Sequence, residues 1–143
     1  MPDEDVSLNF QWALEPANAA LFANELVNAA LAVDGIELDY SVASLQRVDA
    51  IVEGFRTQGL GASDVGVMLI NIGFYVGEVL VRHGGASWIS SAGISQTEYA
   101  TFPVILSWPH SGRLANPFAQ VFKRLEEGPV QDFGVYFDAR ADH

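Results

Sequence analysis

The sequence contains no cysteine, and this absence excludes several kinds of chemistry. Disulfide bonds, zinc sites with cysteine ligands, iron–sulfur clusters and thiol nucleophiles all need a residue that the chain does not have. Positive charge is also scarce, because 7 Lys and Arg residues stand against 18 Asp and Glu residues, for a formal net charge of −11. Such a chain is repelled by phosphate backbones and anionic membranes, so we expect it to bind neither nucleic acid nor a membrane.

The first residues, M-P-D-E-D-V-S, are acidic and lack the apolar region of a signal peptide, so we expect a cytoplasmic protein. The length of 143 residues fits a single domain, and half of the residues are hydrophobic, which is enough for a core. The negative charge serves either plain solubility, which is the simpler explanation, or attraction of a basic protein partner.

The longest apolar stretch, residues 63–85, predicts a helix buried at the centre of the domain. Ser63 is suited to cap its N-terminus, and Gly84-Gly85 is suited to end it. Apolar side chains point in nearly every direction around this helix, which is typical of a buried helix. Asn71 and Glu78 interrupt the apolar run and leave it shorter than the roughly 18 residues of a membrane span, which we therefore reject.

Two glycines of this helix, Gly73 and Gly77, lie four residues apart and share a face. Glycine destabilises a helix interior by about 1 kcal/mol relative to alanine. The spacing therefore predicts that another element approaches the helix closely at this face.

The other elements follow from the period of their apolar residues. Alternation over the first 15 residues predicts an edge strand or a docked extended arm. Alternation also predicts strands at residues 86–90 and 102–108, separated by a polar loop, and Pro103 favours an edge position for the second strand. Helical spacing predicts three further helices, at residues 17–33, at residues 42–57 and from Asn116-Pro117 to Gly128.

Residues 129–140 fit either a strand or a helix, and a proline directly after Gly128 favours the helix. Together these elements predict an α+β fold in a single domain, residues 1–143. We expect about four to five helices packed on a small antiparallel sheet.

Glu78 is the one carboxylate in the middle of the buried helix, and two interpretations of it are open. In a pocket, desolvation would raise its pKa and suit it to general acid or base catalysis. In an ion pair, its partner would be Arg82, four residues later, or Lys123 or Arg124 on the later helix. We favour the ion pair. Tyr75 lies three residues before Glu78 on the same face of the helix, so a hydrogen bond between the two side chains is a further alternative.

No catalytic or metal-binding motif is recognisable. The three histidines, His83, His110 and His143, show no metal-ligand spacing, and no G-x-S-x-G motif is present. The glycine-rich segment 59–66 lacks the lysine of a phosphate-binding loop. We therefore predict no catalytic residue, no metal site and no cofactor.

Three segments resemble a known pattern: L-D-Y-S-V-A-S-L-Q-R-V-D at residues 38–49, Y-V-G-E-V-L-V-R-H-G-G-A-S-W at 75–88 and N-P-F-A-Q-V-F-K-R-L-E-E-G at 116–128. This arrangement is similar to a family of small uncharacterised bacterial domains, with a Tyr-x-Gly-Glu helix, a tryptophan strand and a Lys-Arg helix. The resemblance implies a bacterial protein and no known activity. The positions that it marks are Tyr75, Gly77, Glu78, Trp88, Lys123 and Arg124.

The function that these observations favour is a non-enzymatic module for protein–protein interaction, immunity-like or chaperone-like. Its partner would be a basic protein or a second copy of the chain in a homodimer. The alternative is a small-ligand-binding protein or an enzyme, with Glu78 in a pocket beside Tyr75 and Lys123 or Arg124. The surroundings of Glu78 distinguish the two, because an ion-paired Glu78 away from a cavity has a structural role.

Overall fold

Helix α3, Ala62–His83, lies at the centre of the fold in the computed structural model, which describes residues 10–142. Around it stand five further α-helices and a three-stranded antiparallel sheet, which confirms the α+β fold. The helices are α1 Ala19–Ala29, α2 Ser44–Thr57, α4 Thr97–Ala100, α5 Pro117–Glu127 and α6 Phe133–Arg140. The strands are β1 Ser87–Ser90, β2 Val104–Trp108 and β3 Arg113–Ala115. Short helical turns are found at Pro16–Asn18, Ala30–Asp34 and Pro129–Gln131.

Helix α3 is buried without interruption from Leu69 to Leu80. By length and composition it could cross a membrane, but the rest of the fold covers most of it, as in the core helix of a soluble protein. Its predicted cap was wrong, because the N-cap is Gly61 and not Ser63. The reason is that the carboxylate of Asp64 reaches back and accepts the N–H of Gly61 at 2.8 Å.

The two glycines of α3 are contact points for aromatic rings, as predicted. A Cβ added at Gly73 would overlap Phe118 of α5, and one at Gly77 would overlap the indole of Trp88 in β1. The ring of Phe118 also packs edge-to-face on Phe74, with centroids 4.9 Å apart. The absence of two Cβ atoms thus lets α5 and β1 pack directly against the backbone of α3.

The sheet has the order β1-β2-β3, so β2 is its central strand. Trp88 lies opposite Leu106, and Leu106 lies opposite Ala115. The edge position predicted from Pro103 was therefore wrong. Pro103 directly precedes the first residue of β2, where its missing N–H interrupts no ladder hydrogen bond.

Local signals placed most element ends correctly. The side chain of Asn116 accepts the N–H groups of Phe118 and Ala119 and caps α5, as its sequence predicted. Residues 129–140 form a helical turn followed by α6. The helix predicted for this segment is thus confirmed, and the alternative strand is not formed. The loop after β1 contains α4, a single helical turn that its polar sequence did not predict.

The predicted N-terminal strand or arm falls mostly outside the described residues. Residues 10–15 have no regular secondary structure. Phe10 and Trp12 pack edge-to-face against Phe22 of α1, with centroids 5.9 and 5.3 Å apart. The described part of this segment is thus an irregular, bent piece held by aromatic contacts.

Candidate functional site

The carboxylate of Glu78 is engaged on both oxygens. Its Oε1 accepts the indole N–H of Trp88 at 2.9 Å, and its Oε2 accepts Nε–H of Arg82 at 3.0 Å. Glu78 itself is 8% exposed. Because Arg82 lies one turn later on α3, the pair has the favourable Glu-to-Arg order. Three of the predicted site residues, Glu78, Arg82 and Trp88, are therefore in contact. The hydrogen bond between Glu78 and Trp88 joins α3 to β1.

Tyr40, which sequence reasoning did not single out, extends this cluster. The guanidinium of Arg82 lies 3.7 Å from the centre of its ring, and the ring of Tyr75 stacks on it at 4.7 Å. Burial is the main cause that raises the pKa of Tyr40 to about 12, although the charge of Arg82 opposes it. The phenol is therefore neutral at physiological pH.

The backbone of Tyr40 is held in the left-handed region, with φ 64°. Its N–H donates to the hydroxyl of Tyr75 at 2.8 Å, and its carbonyl lies 3.0 Å from Nε2 of His83. The hydroxyl of Tyr75 also lies 2.6 Å from that of Ser44. Tyr75 thus bonds to the α1–α2 connection and α2 rather than to Glu78, and the Tyr75–Glu78 hydrogen bond is not formed. The hydroxyl of Tyr75 thus holds the strained backbone of Tyr40 in place.

Arg124 belongs to a different cluster and does not reach Glu78. It is 2% exposed and binds both carboxylate oxygens of Asp49, at 2.8 and 2.9 Å, and Oε1 of Glu53 at 2.9 Å. The hydrogen bond to Asp49 is the main cause that raises the pKa of Arg124. The helical spacing of the apolar residues in 42–57 leaves Asp49 and Glu53 on the polar face of α2, where contact with solvent is expected. Their spacing of four residues is the one signal for a shared partner on another helix.

Lys123 is exposed and does not reach Glu78 either. It lines a small pocket of about 120 Å³ together with residues of α4, β3 and α6. Glu78 lines none of the pockets described here. The geometry therefore gives Glu78 the structural role of an ion pair that fastens α3 to its neighbours.

Within residues 10–142, no group of three or more His, Asp and Glu side chains is arranged to hold a metal ion. Nε2 of His83 forms a hydrogen bond with the carbonyl of Tyr40, and not with Glu78 or His110.

Charge is distributed unevenly along the chain. The first Lys or Arg is Arg47, and the 46 residues before it account for −8 of the net −11. The acidic residues of this part are Asp3, Glu4, Asp5, Glu15, Glu25, Asp34, Glu37 and Asp39. None of the last five forms an ion pair with a Lys or Arg side chain among residues 10–142. Residues 10–46 thus carry five carboxylates without an ion-pair partner among residues 10–142.

An apolar groove of about 130 Å³ lies at the end of this acidic part. Its walls are the C-terminal end of α1, α2 and α3, and the residues that line it are Leu26, Ala29, Ala30, Val33, Asp34, Ile51, Phe55 and Met68. Val33, on the π-helical turn that follows α1, is 79% exposed, and the neighbouring Leu31 is 54% exposed. Asp34, which also lines the groove, is exposed.

Comparisons of the chain with protein-family models, with curated proteins and with solved structures gave no match. The resemblance to a bacterial family therefore stays a prediction, and the geometry alone carries the functional proposals that follow.

Proposed function

We propose that this protein is a non-enzymatic interaction module of the bacterial cytoplasm that binds a basic protein partner. The observation that carries the proposal is the concentration of −8 of the net −11 charge in the first 46 residues. Uncompensated charge of one sign attracts a partner of the opposite sign and accelerates its association.

The apolar groove gives this charged surface an anchoring point. Stable protein interfaces place apolar side chains at the centre and charged ones at the rim. Val33 and the groove beside it supply the apolar centre, and the exposed Asp34, which lines the groove, supplies acidic charge, with the exposed Glu37 three residues further along the chain. The matching partner segment would present an aliphatic or aromatic side chain flanked by Lys or Arg.

The state of Glu78 supports a role without catalysis. A general acid or base must reach the substrate, directly or through one water. Both oxygens of Glu78 are instead bound to Trp88 and Arg82 inside the fold.

The proposal is tested by affinity capture with the immobilised protein and native mass spectrometry of the complex. We expect a stoichiometric complex with a basic protein that salt releases, because exposed charge pairs are screened. The triple variant E25Q/D34N/E37Q should lose the partner. The control E126Q/E127Q/D138N, with the same change of charge elsewhere on the fold, should keep it. Equal losses for both triples would contradict the proposal, and so would a monomer without a partner. A homodimer in the native spectrum would identify self-association instead.

The groove is tested by placing a charge on it. Val33→Lys should abolish capture, because it introduces a cation where a cationic partner binds. Val130 is the matched control, since it is 76% exposed and Val130→Lys makes the same chemical change away from the groove. If both variants capture the partner equally well, the groove is not the contact surface.

A further inference from the structure

Two cations of this acidic protein line one pocket, together with a single acidic residue, Glu98. Lys123 of α5 and Arg140 of α6 both line the pocket of about 120 Å³, and neither forms an ion pair with a carboxylate of residues 10–142. By contrast, Arg56, Arg82, Arg113 and Arg124 all form such pairs. The pocket thus collects positive charge in a chain where such charge is scarce.

Tyr136 supplies a buried donor to the same pocket. Its side chain is 4% exposed, yet its hydroxyl makes no hydrogen bond with a group of residues 10–142. No completely buried polar side-chain atom of the described residues lacks a partner, so this hydroxyl must retain some open space, which the pocket provides. A phenol hydroxyl that opens into the pocket and makes no hydrogen bond within residues 10–142 can donate to a ligand atom there.

The neutral form of this phenol suits it to donate. Burial is the main cause that raises the pKa of Tyr136 to about 12, against the opposing charge of Arg140. The guanidinium of Arg140 lies 3.9 Å from the centre of the Tyr136 ring, which orients both side chains on α6.

A wider cleft of about 520 Å³ adjoins this pocket and shares Tyr99, Leu114 and Arg140 with it. Arg113 lies there over the ring of Trp108, at 4.8 Å, and pairs with Asp142. Arg113 thus covers the buried ring of Trp108 and lines the cleft together with Arg140, and the cleft has room for the body of a ligand whose head is anionic.

We propose that this pocket and cleft bind a small organic anion, with its carboxylate or phosphate between Lys123, Arg140 and the hydroxyl of Tyr136. Lysine offers a point charge, and the planar arginine fork binds two oxygens of such a group at once. The body of the ligand lies in the cleft along Tyr99 and Leu114. This site is independent of the acidic surface and its protein partner.

Removal of the negative charge of Glu98 should change the affinity for an anion in the opposite direction to removal of a positive charge. Glu98 lines the same pocket, so its carboxylate opposes an anion. Glu98→Gln should therefore tighten binding severalfold, whereas Lys123→Gln and Arg140→Gln should weaken it by about tenfold or more, the loss typical of a hydrogen bond to a charged group. Tyr136→Phe should weaken it severalfold without changing the charge.

The experiment is a titration of the full chain with phenyl phosphate and, in a second arm, with benzoate, followed by amide chemical shifts at low ionic strength. We expect saturable shifts at Tyr99, Lys123 and Arg140 in at least one arm, and the stronger arm identifies the head group. Arg47→Gln is the matched control, because it removes one positive charge elsewhere and should leave affinity unchanged.

Three results would overturn the proposal. They are an absence of saturable shifts at the pocket in both arms, equal weakening by Arg47→Gln and Arg140→Gln, and weaker binding by the Glu98→Gln variant. Lys123 is exposed, so Lys123→Gln keeps the test valid if Arg140→Gln fails to fold.

Discussion

Arg124 of α5 and Asp49 of α2 are joined by two parallel hydrogen bonds, of 2.8 and 2.9 Å, although 75 residues separate them in the sequence. Asp49 also accepts the backbone N–H of Phe133, at the start of α6, at 3.3 Å. One carboxylate thus ties three helices together around a buried guanidinium, and this arrangement sets the packing of α2 against the C-terminal helices.

Removal of the guanidinium should destabilise the fold strongly. Arg124→Met leaves Asp49 without its cation and should lower the free energy of unfolding by about 3–5 kcal/mol, as is typical when one partner of a buried pair is removed. Urea denaturation measures this loss. Lys123→Met is the control, because Lys123 is exposed and forms no such pair, and it should change stability by less than about 0.5 kcal/mol. Equal effects of the two variants would show that the pair does not hold the helices.

Close packing at Gly77 predicts opposite effects of one substitution at two sites. Gly77→Ala should lower stability by about 1–3 kcal/mol, because the new Cβ would overlap the indole of Trp88 in a filled core. Gly54→Ala in α2 should raise stability by about 0.5–1 kcal/mol, since its Cβ meets only the end of Gln58 at 4.0 Å and alanine favours the helix. Thermal or urea unfolding gives both values. A stabilising Gly77→Ala would contradict the packing described for β1.

We expect Glu78 to contribute to stability and not to binding of the partner. Glu78→Gln keeps an oxygen for the indole of Trp88 but loses the ion pair with Arg82, whose side chain is 42% exposed and screened by solvent. We therefore expect a loss of only about 1 kcal/mol, and a larger loss for Glu78→Ala, which leaves the indole N–H without its acceptor. Urea denaturation and partner capture should be measured together. A Glu78→Gln variant with native stability that no longer captures the partner would instead assign Glu78 a direct role in binding.

Stability should fall in alkaline solution because of Tyr136. Burial raises the pKa of its phenol from 10.0 to about 12, so between these values the folded state holds a proton that the unfolded state has lost. This contribution to stability is therefore complete below about pH 10 and is lost as the pH rises through about 12, with a total of about 2–3 kcal/mol. Urea denaturation along this pH range should show a shallower decline for Tyr136→Phe. An identical decline for both proteins would contradict the buried phenol.

The elements with local signals could be predicted from the sequence, and the contacts between distant elements could not. The start of α5 at Asn116-Pro117, the end of the helical turn Ala30–Asp34 before Gly35 and the close approach at Gly73 and Gly77 all follow from residue chemistry within a few positions. The partner of Arg124 depends on how α2 packs against α5, which no local pattern specifies. Lys123 and Arg124 are adjacent, so a helix must point them in different directions, and neither points to Glu78.

Short elements and strained turns were missed for a different reason. Strand β3 has three residues, too few for an alternating pattern to appear. Tyr40 adopts a left-handed conformation that its residue type disfavours, and only the hydroxyl of Tyr75 and the ring of His83, both distant in sequence, explain why it does so.

The burial of α3 also has a consequence for the chain during its synthesis. Phe118, which covers Gly73, is added to the chain 45 residues later, so α3 is synthesised before this cover exists. At that moment it is an apolar helix of 22 residues, long enough to enter a bilayer. Glu78 is the seventeenth of these 22 residues, and a charged carboxylate in such a helix makes its insertion into a bilayer less favourable. The carboxylate that joins α3 to β1 in the folded protein therefore also lowers the affinity of the uncovered helix for a bilayer.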